Sequence, residues 1–296
     1  MSYQVLLFYK YVTIEDPEAL ASWVRERAAV YGFTGRVIIA TEGINATLEG
    51  SVENTELFAQ EFLALEPFND VSIKRSEGNG ASFPKLSVKV RKEIVATQFP
   101  SEAADPRVRT APRISPDELH AKFENGEDFV VVDMRNGYEY DSGHFKGSIN
   151  PGLEASRDLP QALPALEQYK DKKVVTVCTG GIRCEKMSAF LLSNGFKDVE
   201  QLEDGIHGYM EKYPGEDFLG TLYTFDQRLT MDFGGNREVV GRCYVCQAST
   251  EDYVNCANVK CHRHFLECAQ CKEEEGEYCS PDCKVTDSKE TATISV

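Results

Sequence analysis

The chain has 296 residues, with 48 acidic against 32 basic side chains and a formal net charge of −16. That length divides naturally into two or three compact units, and that charge argues against indiscriminate nucleic-acid binding, which needs a surplus of Lys and Arg. No apolar run reaches membrane-spanning length, and the first residues read as a strand, not as a basic cleavable leader, so a soluble, cytoplasmic protein without a membrane partner is expected.

Residues 3–11 alternate like a strand, and Asp16-Pro-Glu opens a helix reaching Tyr31, with Pro17 suited to its first turn. Strands follow at 36–40 and 46–49 around Glu42-Gly-Ile-Asn45, then a helix through Leu63, then strands at 70–75 and 86–95. The order β-α-β-β-α-β predicts an α+β ferredoxin-like (acylphosphatase-like) domain over residues 1–95. Residues 96–113 contain Pro100, Pro106 and Pro112 and read as a linker.

A second domain is predicted over 114–218. Phe129-Val-Val-Val-Asp133 and Lys173-Val-Val-Thr-Val-Cys178 are short apolar runs of the kind buried in a parallel sheet, with helical patterns near 158–169 and 184–194. Gly195 supplies a helix stop, residues 198–202 a further strand, and residues 205–213 a last helix. Residues 219–242 connect this α/β domain to a small polar segment, 243–284, and 285–296 read as a disordered tail.

Charge is unevenly spread. Residues 71–113 hold nine basic and four acidic side chains, and Lys74, Arg75, Lys85, Lys89, Arg91 and Lys92 are the candidate positive strip for a nucleic-acid backbone on an otherwise acidic protein. A charged solvated face is the plainer alternative.

Cysteine use is also uneven. None precedes Cys178, Cys184 follows it closely, and eight crowd between Cys243 and Cys283. Cys178 directly follows an apolar run, at the strand end where ligands collect on α/β sheets. Gly180 and Gly181 let the loop backbone curl so that N–H groups face one point, and the helix beginning near Cys184 adds its positive end. Such a cradle, with Arg183 beside it, favours a nucleophilic thiolate at Cys178 over an inert buried thiol. Cys184 either resolves an oxidised Cys178 or packs in the helix. His144 reads as a hydrogen-bonded structural residue and not as a base.

The strings Asp133-Met-Arg135, Tyr138-Glu139, Gly143-His-Phe-Lys-Gly-Ser-Ile-Asn150 and Cys178-x4-Arg183 resemble, in order, the motifs of rhodanese domains across about residues 113–218. Lys146, Ser148 and Thr179 depart from the residues frequent there. The resemblance implies a cysteine able to carry a persulfide at Cys178, with Arg183 as its catalytic partner, Thr179, Gly180 and Gly181 forming the loop, and Asp133 and Arg135 supporting it by ion pairing.

The whole chain is similar to the bacterial tRNA uridine hydroxylase family. The likeness rests on the domain order, on the string Cys178-Thr-Gly-Gly-Ile-Arg-Cys-Glu-Lys186 and on Glu42-Gly-Ile-Asn-Ala46. It implies oxygen-dependent formation of 5-hydroxyuridine at the wobble position, with molecular oxygen as co-substrate and a tRNA anticodon loop as partner. No flavin or haem motif is present. The alternatives are a sulfurtransferase or persulfide carrier, and an adaptor whose domains only bind partners.

The last cysteines are spaced as Cys243-x2-Cys246, Cys256-x4-Cys261, Cys268-x2-Cys271 and Cys279-x3-Cys283, in a segment too small to fold by burial. Eight thiolates suit two structural zinc ions, with free thiols, disulfides or a redox iron–sulfur cluster as the alternatives. An interleaved arrangement joins the first pair to the third and the second to the fourth, and His262 or His264 is an alternative ligand.

Overall fold

The computed structural model of the chain describes residues 2–235 and 238–286. From residue 287 on, the tail expected to be disordered lies outside the described residues.

The first domain runs β1 (Tyr3–Tyr11), α1 (Pro17–Tyr31), β2 (Thr34–Ala40), β3 (Gly43–Ser51), α2 (Val52–Leu63), β4 (Lys74–Gly78) and β5 (Leu86–Val90). Local chemistry sets the helix ends. Asp16 accepts from the Ala19 N–H ahead of Pro17 and Gly32 closes α1 in the left-handed conformation, while Ser51 caps α2. The strands form one sheet in the order β4-β1-β3-β2-β5, with β2 and β5 parallel and the remaining pairs antiparallel.

Two strands are displaced from their expected limits. Phe68 and Val71 are drawn into the core, with the Val71 N–H bonded to the Phe68 carbonyl at 3.1 Å, so the chain enters the sheet only at Lys74. Beyond Val90 the chain leaves the sheet, and the Ile94 N–H donates to Glu42 at 2.8 Å.

Side-chain alternation divides this sheet's faces. Leu6, Phe8, Val37, Ile39, Ala46 and Leu48 join α1 and α2 in one core. The intervening Leu7, Tyr9, Arg36, Ile38, Asn45 and Thr47 line a cleft shared with the second domain.

Residues 96–113 pack along the second domain. They include the single turn α3 (Ser101–Ala104), bury Ala104 and Ala111 in that domain's core, and stack Phe99 on Phe190 with ring centroids 4.3 Å apart. The domain continues through β6 (Arg113–Ile114), α4 (Pro116–Glu124), β7 (Val130–Asp133), α5 (Gly137–Asp141), β8 (Gly143–Phe145), α6 (Leu159–Leu166), β9 (Lys173–Val177), α7 (Ile182–Ser193), β10 (Asp198–Leu202) and α8 (Gly205–Lys212). Its sheet is parallel, in the order β6-β10-β9-β7. One apolar cluster carries α6 and α7 and another carries α4 and α8, so the sheet is covered on both faces.

The connecting segment is ordered by short pairings: β11 (Phe218–Gly220) adds to β8, and β12 (Leu222–Tyr223) pairs β13 (Thr230–Met231). The cysteine-rich segment holds the hairpin β14 (Tyr253–Asn255) and β15 (His264–Leu266), followed by α9 (Ala269–Glu275). It docks on α5, where the Tyr253 hydroxyl donates to the Tyr138 carbonyl at 2.5 Å and Tyr253 and Leu266 share an apolar cluster with Tyr138. Among the described residues no helix is long and apolar enough to cross a membrane.

Candidate active site

Cys178 leaves the end of β9, a central strand, and the chain must reverse within three residues to start α7 at Ile182. Gly181 makes this turn with φ +96°, and a Cβ there would meet the Tyr9 hydroxyl at 2.8 Å. The loop's carbonyls are tied outward, Cys178 to the Ile206 N–H at 2.9 Å and Thr179 to the His207 N–H at 3.0 Å. Gly205 permits that approach, since a Cβ on it would lie 2.6 Å from the Cys178 carbonyl.

These two bonds tie the loop to the start of α8. Burial alone would raise the Cys178 thiol. A hydrogen bond from the Cys184 thiol, the Arg183 charge, and the backbone N–H groups of Cys184 and Arg183 outweigh burial and bring it to about 6. Cys184 moves oppositely: burial, and its role as donor to an anionic Cys178, push it well above the ordinary thiol range. Cys178 is therefore anionic at neutral pH and Cys184 neutral. Both are buried free thiols.

Arg183 brings positive charge beside the thiol, and it is itself buried in a two-pronged ion pair with Glu139, at 2.6 and 2.8 Å, while its Nη2 also donates to the Thr179 hydroxyl at 3.1 Å. An unpaired guanidinium at this depth would be costly, and the partner that α5 supplies keeps it charged. Glu139 also accepts from the Asn136 N–H at 3.0 Å, capping α5. Thus α5 holds the cysteine loop on one side and the cysteine-rich segment on the other.

Cys178, Thr179, Gly180 and Arg183 come together on the floor of a cleft of about 460 Å³. Asp133 and Arg135 stand apart from it. They form a buried ion pair of 2.6 Å, with Arg135 also donating to the Gly143 carbonyl at 2.6 Å, and they support the fold. His144 lies within β8, where Nδ1 bonds the Tyr140 carbonyl at 3.0 Å and the ring stacks on Tyr140.

The cleft's other wall is the open face of the first domain, which the sequence reading did not assign to the site. One signal was present: residues 5–9 are apolar on consecutive positions, as in a strand covered on both faces. The two domains are stapled around the cleft. Lys186, buried, bridges Glu42 at 2.9 Å and Glu93 at 2.7 Å; the Tyr9 hydroxyl donates to Glu185 at 3.2 Å; and Lys74 pairs with Asp204 at 2.6 Å. The strings ending at Lys186 and beginning at Glu42 are therefore one contact.

Of the six basic residues expected as a strip, two are engaged in ion pairs. Lys74 is buried against Asp204, and Arg75 is held bidentately by Glu56 at 2.7 and 2.9 Å. Lys85, Lys89, Arg91 and Lys92 are exposed, and Lys89 shares the cleft face through its register with Ile38. Arg36 and Arg157, exposed on the cleft, make no ion pair among the described residues.

The eight late cysteines gather as two clusters, Cys243, Cys246, Cys268 and Cys271, and Cys256, Cys261, Cys279 and Cys283, with the sulfurs of each within 4.8 Å of one another. This is the interleaved pairing. Four sulfurs about 2.3 Å from a tetrahedral zinc stand about 3.8 Å apart, and the closest pairs here are 3.5 to 3.6 Å. Each cluster fits a metal ion with all four positions filled by protein. His262 and His264 belong to neither; His264 instead stacks on Tyr253.

Family models match as a UPF0176 acylphosphatase like domain over residues 3–94, a Rhodanese-like domain over 115–212 and Rhodanase C-terminal over 219–284. A tRNA uridine(34) hydroxylase of Staphylococcus carnosus is 41% identical over 288 residues, 96% of this chain and 89% of that one. One of Enterococcus faecalis is 42% identical, covering 96% and 90% respectively. A solved rhodanese-like domain protein from Staphylococcus aureus aligns with 33% of this chain and 90% of its own at 28% identity and a TM-score of 0.29.

Proposed function

The chain belongs to the tRNA uridine(34) hydroxylase family, and from that premise we propose that it hydroxylates the wobble uridine of tRNA with Cys178 as the reacting thiolate. The observation that carries this reading is the place of Cys178, a thiol lowered to about 6, on the floor of a cleft large enough for a nucleobase and walled by two domains. An unpaired anticodon-loop base can splay into such a cleft without melting a duplex.

The thiolate adds to C6 of the uracil ring, and the C5=C6 electron pair moves onto the C4 carbonyl. C5, now electron-rich, takes one oxygen atom from an activated form of molecular oxygen. Loss of the C5 proton expels the thiolate and restores the double bond. The second oxygen atom leaves as water, so each turnover consumes two electrons and two protons from a reductant. Cys184 and the loop N–H groups stabilise the thiolate before attack and after expulsion. Glu139, through Arg183, positions the loop.

Arg36, Arg157 and Lys89 are the cations best placed for the RNA backbone, with Lys85, Arg91 and Lys92 as outer contacts. The two cysteine clusters hold structural zinc, which brings no open coordination position. The protein works in the cytoplasm, where tRNA is modified. Persulfide transfer would use the same thiolate, and one experiment separates the two. Unmodified tRNA is incubated with protein and a reductant under heavy-isotope dioxygen, and its nucleosides are weighed. One heavy oxygen on uridine, absent with Cys178→Ser, is the expected result. Unchanged uridine, together with sulfur on Cys178, would instead establish sulfur transfer.

A further inference from the structure

The cysteine cleft continues past Phe225. On the far side of that ring runs a second groove of about 880 Å³, between α5 and the cysteine-rich segment, and Arg36 and Phe225 belong to both. Phe225 is 48% exposed, and its place is fixed. The Thr224 N–H bonds the Leu229 carbonyl at 2.7 Å, Asp226 pairs with Arg228 at 2.6 Å, and Arg228 reaches across to the Ser76 hydroxyl at 2.9 Å and the Glu77 carbonyl at 2.8 Å. The ring packs on the Arg183 guanidinium at 5.5 Å and edge-on to Tyr223 at 5.2 Å. It is thus an aromatic surface displayed on a braced loop between two clefts.

The second groove carries the groups suited to single-stranded RNA. Tyr244 lies under the Arg263 guanidinium at 4.7 Å, and Arg263 also donates to the Tyr244 hydroxyl at 2.9 Å. Both sit on the cysteine-rich segment, and neither is a cysteine ligand. Three acids line the groove: Asp226, paired with Arg228 at 2.6 Å, Asp141, which faces the Arg263 charge, and Glu154. Aromatic faces take bases in any sequence, and arginines take phosphates.

Resting on the tRNA reading above, we infer that this groove holds the nucleotide next to the reacting uridine, its base stacked on the open face of Phe225, whose other face packs on Arg183, with Arg36 and Arg263 on the intervening backbone. The cysteine-rich segment is then part of the RNA-binding surface as well as a brace for α5. Continuity with the cysteine cleft selects RNA as the occupant, since a base seated over Cys178 directs its neighbour past Phe225.

The test uses the full-length metal-loaded protein and an anticodon stem-loop RNA with uridine at the wobble position and 2-aminopurine at the adjacent anticodon nucleotide. Binding should quench the fluorophore by stacking. Phe225→Ala should lose the quenching and weaken affinity roughly tenfold to a hundredfold, the range given by one lost base–aromatic stack, while Phe225→Trp retains both. Arg263→Ala should raise KM more than it lowers kcat, with metal content unchanged. Unaltered affinity and quenching in Phe225→Ala would overturn the inference and leave the hydroxylase reading standing. Failure of the unsubstituted protein to bind the stem-loop would overturn both.

Discussion

Replacing Cys184 by alanine tests how this fold makes a thiolate. The Cys184 thiol is the strongest of the groups that lower Cys178 against burial. A hydrogen bond to a charged group contributes about 1.5–3 kcal/mol, and one pKa unit corresponds to about 1.4 kcal/mol. Cys184→Ala should therefore move Cys178 from about 6 to between about 7 and 8. At neutral pH the anionic fraction falls from about nine-tenths to between about a half and a tenth. The packing loss of one buried sulfur, about 1 kcal/mol, leaves the fold intact. Cys184→Ser keeps an O–H donor and should hold the midpoint near the original value.

The assay is alkylation by iodoacetamide as a function of pH, resolved by peptide mass spectrometry. Trypsin cleaves after Arg183, so Cys178 and Cys184 fall on separate peptides. Normalising each rate to its high-pH plateau cancels the slow access to a buried sulfur. A Cys184→Ala midpoint still near 6 would refute the assignment and place the stabilisation on the loop N–H groups and Arg183 alone.

Other perturbations reach other joints of the structure. Glu139→Gln leaves the buried Arg183 charge without its partner and should destabilise the protein by about 3–5 kcal/mol, read as a lower denaturant midpoint; an unchanged midpoint would mean the pair is dispensable. Lys186→Met leaves Glu42 and Glu93 facing each other. It should speed amide exchange over residues 91–98 and reduce hydroxylation, with β9 amides still protected; unchanged exchange would count against the staple. His207, held neutral by burial and by the nearby Lys74 and Arg228 charges, is lowered to about 4. Because the unfolded ring binds the proton first, the stability this contributes is complete above about pH 6.5. It is lost as pH falls toward about 4, up to roughly 3 kcal/mol. Urea unfolding at several pH values should show that window in the unsubstituted protein and not in His207→Gln. Removal of metal by a chelator should release two equivalents and unfold residues 243–283, and retention of their protection would contradict the two-cluster account.

Much of this architecture was legible because local signals and tertiary structure agree. The β-α-β-β-α-β pattern, the Asp16-Pro17 helix start and the glycines at 180 and 181 each report a backbone requirement that acts within a few residues. The paired cysteines are likewise local, since a segment this short has little else to fold around. What escaped the reading is produced between elements. The burial of Lys74 depends on Asp204, 130 residues away in sequence, and nothing near residue 74 announces it. The pairing of Arg183 with Glu139 depends on α5 packing beside the loop, although the Tyr138-Glu139 motif marked the place. Arg36 and Phe225 reach the cleft only because two domains and a connecting segment converge there.

The most direct test of the central claim is a trap for the bond between Cys178 and the base. A stem-loop carrying 5-fluorouridine at the wobble position presents the same C6 to the thiolate but has no C5 proton to lose. The account predicts a denaturation-resistant protein–RNA adduct, mapped to the peptide bearing Cys178, abolished by Cys178→Ser and undiminished by Cys184→Ser. Turnover of normal tRNA without any such adduct would contradict it and remove the thiolate from covalent chemistry on the base.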